Sequence, residues 1–315
     1  MADPLHITFL SVLSVECLLG TSLNAFIVLT HCLEWRQTRR LPGSDKIETC
    51  LCVCRFFLQC AITLNNFCRS FSLDINSPSY FIELFLVVRM FLSFTSLWSA
   101  TLLSVFYCVK ITNYNFGIFV FLKPRISRMV PWLVLSCLLV SLASSLPFAE
   151  SFYTLYFRNS TAQNSTENTD ADKIQSNMSL AYAVGSSVPF AIFIIAVLLL
   201  IHSLWSHIKQ MRSGADSFRS PNLNALLGVV KSLMVFFCLC IIYFVCMNLI
   251  SSGLLPVGSP WIAFVSILNS SYPFLHSAVL IYTNSKLKLA FLHLLSVIAP
   301  KRLWKRFLGK SFTEQ

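Results

Sequence analysis

Charge is what this 315-residue sequence has least of: only 12% of its residues are charged, with 13 Asp and Glu against 24 Lys and Arg. Glycine is scarce too, at 9 residues. No Walker sequence, no G-x-S-x-G and no H-E-x-x-H occurs, which argues against P-loop phosphoryl transfer, serine hydrolysis and zinc proteolysis. A carrier coupled to ions places carboxylates near the membrane midplane and is built from internal repeats. Here Glu48 and Glu83 fall at the edges of apolar segments, only Glu16 lies inside one, and no repeat is visible. The N-terminus has neither a basic n-region nor a small-residue cleavage site, so no cleaved signal peptide is expected.

Apolar residues are what the chain has in excess. It is 56% hydrophobic with 28 Phe, and its mean hydropathy is +0.69. A soluble domain of this length could not hide that much apolar surface, so the composition is that of an integral membrane protein. Seven apolar segments reach the roughly 20 residues that cross a bilayer. They run over about 6–33, 47–69, 81–109, 129–149, 181–206, 227–252 and 260–282, in one domain over 1–315. Most of the 12 cysteines sit within these runs, as at Cys50, Cys52, Cys54, Cys137, Cys238, Cys240 and Cys246, where Cys acts as a small hydrophobe.

The net charge of +11 suggests nucleic acid only until the charges are placed. Arg36, Arg39, Arg40 and Lys46 fall in the first connection, and Lys110, Lys123, Arg125 and Arg128 in the third. Lys209, Arg212, Arg219 and Lys231 fall in the fifth, and a run from Lys286 to Lys310 in the tail. The alternate connections hold only Arg69, Arg158 and Lys173. The positive-inside bias therefore sets the N-terminus outside and the 283–315 tail in the cytoplasm, and nucleic acid is not an expected partner. On the opposite side, the 150–180 connection carries three glycosylation sequons, at Asn159, Asn164 and Asn177. A fourth, at Asn269, lies inside the seventh segment and reads as a packing or pocket residue. Beyond Asn284 the tail is amphipathic from about Lys286 to Phe307, with Leu287, Phe291, Leu294, Leu295 and Trp304 opposite the basic side chains, as for a helix lying on an anionic lipid leaflet.

A few polar residues stand inside the spans. Arg55 lies mid-way along the second, where a guanidinium must face the bundle interior and a partner. It reads either as part of a structural or switching network, with Asn24 and Ser277, or as a direct ligand contact. Arg89, nearer the outer end of the third span, reads as a snorkelling side chain paired with Glu83 or as a pocket cation. The Cys50-x-Cys-x-Cys run is not a metal motif, because only Cys50 and Cys54 share a helical face and no histidine is nearby. His276 and Ser277 are adjacent on a helix and do not face each other, so they form no hydrolytic pair. No metal, cofactor or enzymatic activity is expected. Seven spans, an outer N-terminus and short basic inner connections are the layout of a G-protein-coupled receptor.

Several long blocks then carry a resemblance. GTSLNAFIVLTHCLEWRQTRRLPGSDKI (Gly20–Ile47), the span-two Arg55, WSATLLSVFYCVKITNYNFGIFVFLKPRI (Trp98–Ile126), LLLIHSLWSHIKQM (Leu198–Met211), Tyr243-Phe244 and HSAVLIYTNSKLK (His276–Lys288) occur in order. Together they resemble the vertebrate bitter taste receptors, type 2. Vomeronasal type 1 receptors fit the Leu198–Met211 and His276–Lys288 blocks less well, and a membrane carrier is the alternative outside receptors. The resemblance implies an all-α, seven-helix receptor at the plasma membrane for small bitter compounds, signalling through a gustducin-type Gα to phospholipase C and calcium. It also implies an outer cavity lined by Asn66, Arg89, Ser93, Phe94, Tyr182, Met247, Ser266 and Asn269. Asn24, Arg55, His276 and Ser277 would form an activation network, and Tyr107, Lys110, His207 and Lys286 would contact the G protein. The chain departs from the family pattern at Ser93, where Asn is usual, and at Arg89 and Asn66, where Trp is common. These make the expected cavity more polar and more basic, suited to an anionic or hydrogen-bonding agonist.

Overall fold

The computed structural model describes residues 4–70, 79–112, 117–161, 167–213, 221–256 and 259–298. Eight helices account for nearly all of them: α1 (Pro4–Thr38), α2 (Gly43–Ser70), α3 (Ser79–Ile111), α4 (Gly117–Thr161), α5 (Glu167–Ser213), α6 (Pro221–Ser252), α7 (Pro260–Thr283) and α8 (Ser285–Ile298). Among the described residues there is no strand. The first seven are each long and apolar enough to cross a membrane, so the protein is a seven-transmembrane bundle with a short eighth helix. Arg69, Glu83, Asn66, Asn159, Asn164 and the tail from 299 onward lie outside the described residues or side chains.

Helix α3 is the centre of the bundle. It packs against α2, α4 and α5, and 67% of its apolar window is buried, against 22% for α1, α4 and α6. Its sequence shows why. Ser93, Thr95, Ser96, Ser99 and Thr101 are all buried on it, and such small hydroxyl residues let neighbouring helices approach while bonding back to helix carbonyls. Thr101 Oγ1 lies 3.0 Å from the Pro189 carbonyl of α5, which ties α3 to α5 at that helix's internal proline. The outer helices turn their remaining leucines, valines and tryptophans outward, among them Leu29, Trp132, Leu139, Ile195 and Trp261. In a soluble protein that surface would aggregate; in lipid it is the solvated face.

Hydropathy and helix do not end together. Helix α4 runs on to Thr161 and α5 begins at Glu167, so helix covers much of the 150–180 connection. The stretch from Ala149 to Val184 contains no Pro or Gly. Apolar character stops there, but nothing in the backbone chemistry forces the helix to stop. Asn177 lies within α5 and is exposed.

At the other end of the bundle, one residue explains the passage from α7 to α8. The Asn284 N–H donates to the Leu280 carbonyl and closes α7. Its side-chain Oδ1 accepts from the Lys286 N–H at 3.1 Å, and so caps α8. Helix α8 then tucks Leu287 into the core beside Ile27, Leu280 and Ile281, and sets Phe291 edge-on to Phe26 at 5.3 Å. Leu289, Leu294, Leu295 and Val297 face outward. Lys286 Nζ meets Glu34 of α1 at 2.7 Å, and that hydrogen bond raises the pKa of a mostly exposed ammonium.

Docking of α8 therefore rests on the buried leucine, not on the screened ion pair. Leu287→Ala is expected to cost about 2–4 kcal/mol, whereas Glu34→Gln should change stability by no more than about 1 kcal/mol. Thermal unfolding of the solubilised protein would compare them, and a larger loss in Glu34→Gln would contradict this account.

Candidate functional site

The deepest charge in the bundle is Arg55, with no exposed surface. Its Nε donates to Ser96 Oγ of α3 at 3.1 Å and its NH2 donates to the Tyr272 hydroxyl of α7 at 2.8 Å. The guanidinium carbon also sits 4.7 Å from the centre of the Tyr272 ring, so one tyrosine offers both a hydroxyl and a π face. The Tyr272 hydroxyl lies 3.2 Å from Cys240 Sγ of α6. Its ring stacks on Tyr243 of α6 at 4.3 Å, and the Tyr243 hydroxyl lies 2.9 Å from Ser93 Oγ. Four helices, α2, α3, α6 and α7, thus meet around Arg55 and two tyrosines.

Of the expected activation residues, Asn24 and Ser277 do pair: the Ser277 hydroxyl is 2.8 Å from Asn24 Oδ1, and both are buried. Arg55 hydrogen-bonds to neither of them. His276 stands edge-on to Tyr272 at 5.6 Å and lies 4.5 Å from the Phe236 ring, so it joins the aromatic side of the network. Sequence reasoning named Arg55 and missed Ser96 and Tyr272. The available signal was positional: Tyr272 is one helical turn before His276 on the same face, a phenol in mid-span that needs a polar partner. Arg55 NH1 and both amide atoms of Gln59, one turn further along α2, are buried without a protein partner.

Of the eight residues expected around a ligand, Phe94, Tyr182 and Met247 fall in one aromatic cluster and Ser93 adjoins it. Phe94, Tyr182, Met247 and Tyr243 pack with Met90, Phe148 and Tyr272. Phe94 stacks on Tyr182 at 5.5 Å and tilts against Phe148 at 6.2 Å. Gly185 makes room for this: a Cβ there would stand 3.1 Å from the Phe94 ring. Ser93 joins the cluster through Tyr243. Arg89 and Ser266 are half-buried. Asn269 is buried in α7 with its Oδ1 unpartnered. Asn66 lies outside the described side chains.

A cavity lies at the α8 end. It has a volume of about 440 Å³ and opens between α3, α5, α6 and α7, lined by Tyr107, Val197, Leu233, Phe236, His276 and Asn284 among others. Of the four residues expected to meet a G protein, Tyr107 lines it. Lys110, His207 and Lys286 are exposed at the ends of α3 and α5 and the start of α8, with Lys110 Nζ 5.8 Å from the Phe106 ring.

Comparison with known proteins adds to this geometry. The family model described as Taste receptor protein (TAS2R) matches residues 1–299. Taste receptor type 2 member 9 of Homo sapiens is 31% identical over 300 residues, 95% of this chain and 96% of that one. Taste receptor type 2 member 39 of Macaca mulatta is 35% identical over 295 residues, covering 92% and 87%. Taste receptor type 2 member 2 of Homo sapiens is 30% identical over 292 residues, covering 92% and 95%.

If Tyr272 solvates Arg55, removing its hydroxyl leaves a buried cation short of a charge-assisted bond. Tyr272→Phe should destabilise the solubilised protein by about 2 kcal/mol, and Arg55→Lys should not behave as wild type, because an ammonium lacks the planar fork that reaches Ser96 and Tyr272 together. Wild-type thermal stability in Tyr272→Phe would refute the role given to the hydroxyl.

Proposed function

The chain belongs to the taste receptor type 2 family, and from that premise we propose how this receptor is oriented, where it is liganded and what it activates. The family makes it a bitter taste receptor of the G-protein-coupled class, with a small-molecule ligand and a G protein as its kinds of partner. It is not an enzyme. Our reading is a plasma-membrane receptor with its N-terminus outside and α8 on the cytoplasmic side, coupled through a gustducin-type Gα to phospholipase C and calcium. The distribution of Lys and Arg supports the orientation. The outward leucines of α8, beside Lys286 and Lys288, suit an anionic inner leaflet. The sequons at Asn159, Asn164 and Asn177 then face outward, where glycan attachment occurs.

The observation that carries this reading is the cavity of about 440 Å³ at the α8 end. It has apolar walls from α3, α5, α6 and α7 and cationic side chains exposed near its mouth, features that suit the amphipathic C-terminal helix of a Gα subunit. The agonist would sit at the opposite end, against Ser93, Phe94, Tyr182, Met247, Ser266 and Asn269. Arg89 and Asn66 would favour an anionic or hydrogen-bonding compound. A ligand contact at Ser93 bears on Tyr243, hence on the Tyr243–Tyr272 stack, hence on Arg55. The agonist acts only through its preference for one arrangement of this chain over another, shifting an equilibrium that exists without it.

Cells co-expressing the receptor and a gustducin-type chimeric Gα, exposed to a panel of bitter compounds, should give a concentration-dependent calcium rise. Arg55→Ala should abolish it at equal surface expression. Leu233→Trp, which fills the cavity, should reduce the maximal signal at least tenfold without moving surface expression. A full signal in Leu233→Trp would remove the cavity from the mechanism, and silence across the panel with surface expression confirmed would remove the proposed coupling or ligand class.

A further inference from the structure

Away from Arg55, at the α8 end, His31 of α1 and Asp45 and Glu48 of α2 offer one ligand atom each, all within 4.8 Å of one another. All three are buried, to 2%, 6% and 1% exposure. Two carboxylates facing one imidazole in a dry place are costly unless a cation or a proton is shared among them. We propose that this cluster is a zinc site, which clamps α1 to α2 beside the large cavity.

The hydrogen bonds around the cluster hold one heteroatom of each side chain. The Thr49 hydroxyl donates to the Asp45 backbone carbonyl at 2.6 Å, so its oxygen is left to accept the His31 Nδ1–H at 3.0 Å. That bond fixes the tautomer and leaves Nε2 as the free nitrogen. Ser44 Oγ donates to Asp45 Oδ1 at 2.8 Å. The Tyr107 hydroxyl donates to Glu48 Oε1 at 3.0 Å. Glu48 Oε2 receives no hydrogen bond and stands 3.8 Å from His31 Nε2. One heteroatom of each of the three side chains is thus held by a neighbour, as outer hydrogen bonds hold and orient metal ligands.

The His31–Glu48 separation fits a shared ion better than a hydrogen-bonded pair. A hydrogen bond between Nε2 and Oε2 would bring them to roughly 2.8 Å. Two tetrahedral zinc ligands at roughly 2.0–2.2 Å from the metal lie about 3.3–3.6 Å apart, so this pair at 3.8 Å needs a small contraction, and the 4.8 Å that bounds the whole set a larger one. The donor set also selects the metal. Magnesium and calcium seek six or more oxygens, whereas one imidazole with two carboxylates suits zinc and balances its charge. Glu48 also lines the large cavity, so a water could complete the tetrahedron.

The position gives the ion something to do. Glu48 is bonded to Tyr107 of α3, and Tyr107 lines the same cavity. Gly43, at the start of α2, lets that helix press on α3, since a Cβ there would stand 3.0 Å from the Phe106 ring. Zinc would hold α1, α2 and, through Tyr107, α3 in one register at the mouth of the cavity. The sequence hid this site because His31 and the Asp45–Glu48 pair lie on different helices and match no spacing motif.

The test is zinc binding by purified full-length receptor after chelation, read by competition with a chromogenic chelator. Cobalt absorbance then separates a thiolate-free site from cysteine binding. One thiolate-free equivalent is expected. His31→Gln and Glu48→Gln should each weaken it at least tenfold. Thr49→Ala keeps all three ligands but frees the imidazole, and should weaken it about tenfold; it serves where a ligand variant does not fold. Thermal midpoints in chelator check folding, and zinc should raise the midpoint of the wild type but not of His31→Gln. No thiolate-free equivalent, or unchanged affinity across the variants, would overturn the site in favour of a plain His31–Glu48 ion pair. Because the readout is binding, neither outcome depends on the receptor's signalling partner.

Discussion

A guanidinium with no exposed surface must be solvated by the protein that buries it, and the centre of this bundle is arranged around that requirement. Arg55 hydrogen-bonds to no carboxylate among the described residues. Its charge is spread over a serine hydroxyl, a phenol and the face of a ring. These are weaker partners than a carboxylate, and they come from two other helices. The cation therefore holds α2, α3 and α7 at fixed separations without the deep energetic well of a buried ion pair. A network of this kind is strong enough to specify one packing and shallow enough to be exchanged for another. The NH1 of Arg55 and the neighbouring Gln59 amide sharpen the point, since both are buried without a protein partner.

Tyr272, the main partner of Arg55, links the two halves of the molecule. Through Tyr243 and Ser93 it leads into the aromatic cluster of Phe94, Tyr182 and Phe148. Through His276 and Phe236 it reaches the wall of the cavity at the α8 end. The path consists of close pairs: 2.8 Å, 4.3 Å and 2.9 Å between successive partners from Arg55 to Ser93. Continuity of contact does not itself establish coupling. Coupling would require a second discrete arrangement of these contacts, such as a different hydroxyl partner or an unstacked ring, whose population both ends bias.

How much of this was legible in the sequence depended on whether the signal was local. The seven spans were, because each must hide its own backbone from lipid and so announces itself by composition. The hinge at Asn284 was too, since one side chain ends α7 and caps α8. Arg55 declared itself by its cost, as any charge in mid-span does. Its partners did not, because Ser96 and Tyr272 are ordinary residues on other helices, 41 and 217 positions away. The pairing of His31 with Asp45 and Glu48 was hidden for the same reason. The full extent of α4 and α5 lay beyond the reach of hydropathy for a different reason: hydropathy reports where lipid ends, and a polar helix continues past it.

The aromatic cluster constrains what the proposed ligand must do. Phe94, Tyr182 and Met247 are packed at 5% exposure or less, so an agonist touching them must first part side chains that now fill the space. Stacked aromatic pairs are worth about 0.5–1.5 kcal/mol beyond their buried area, and that loss is charged against every compound that enters. Yet three methionines, Met90, Met178 and Met247, lie in or against this cluster. Methionine repacks with little penalty and accommodates irregular shapes. A site of this kind, under the proposed reading, trades affinity for tolerance: no one compound recovers the full cost of opening, while many shapes recover part of it. Selectivity then passes to the polar residues, Ser93, Arg89 and Asn269, which reject a ligand unable to hydrogen-bond far more sharply than an apolar wall rejects an extra methyl group.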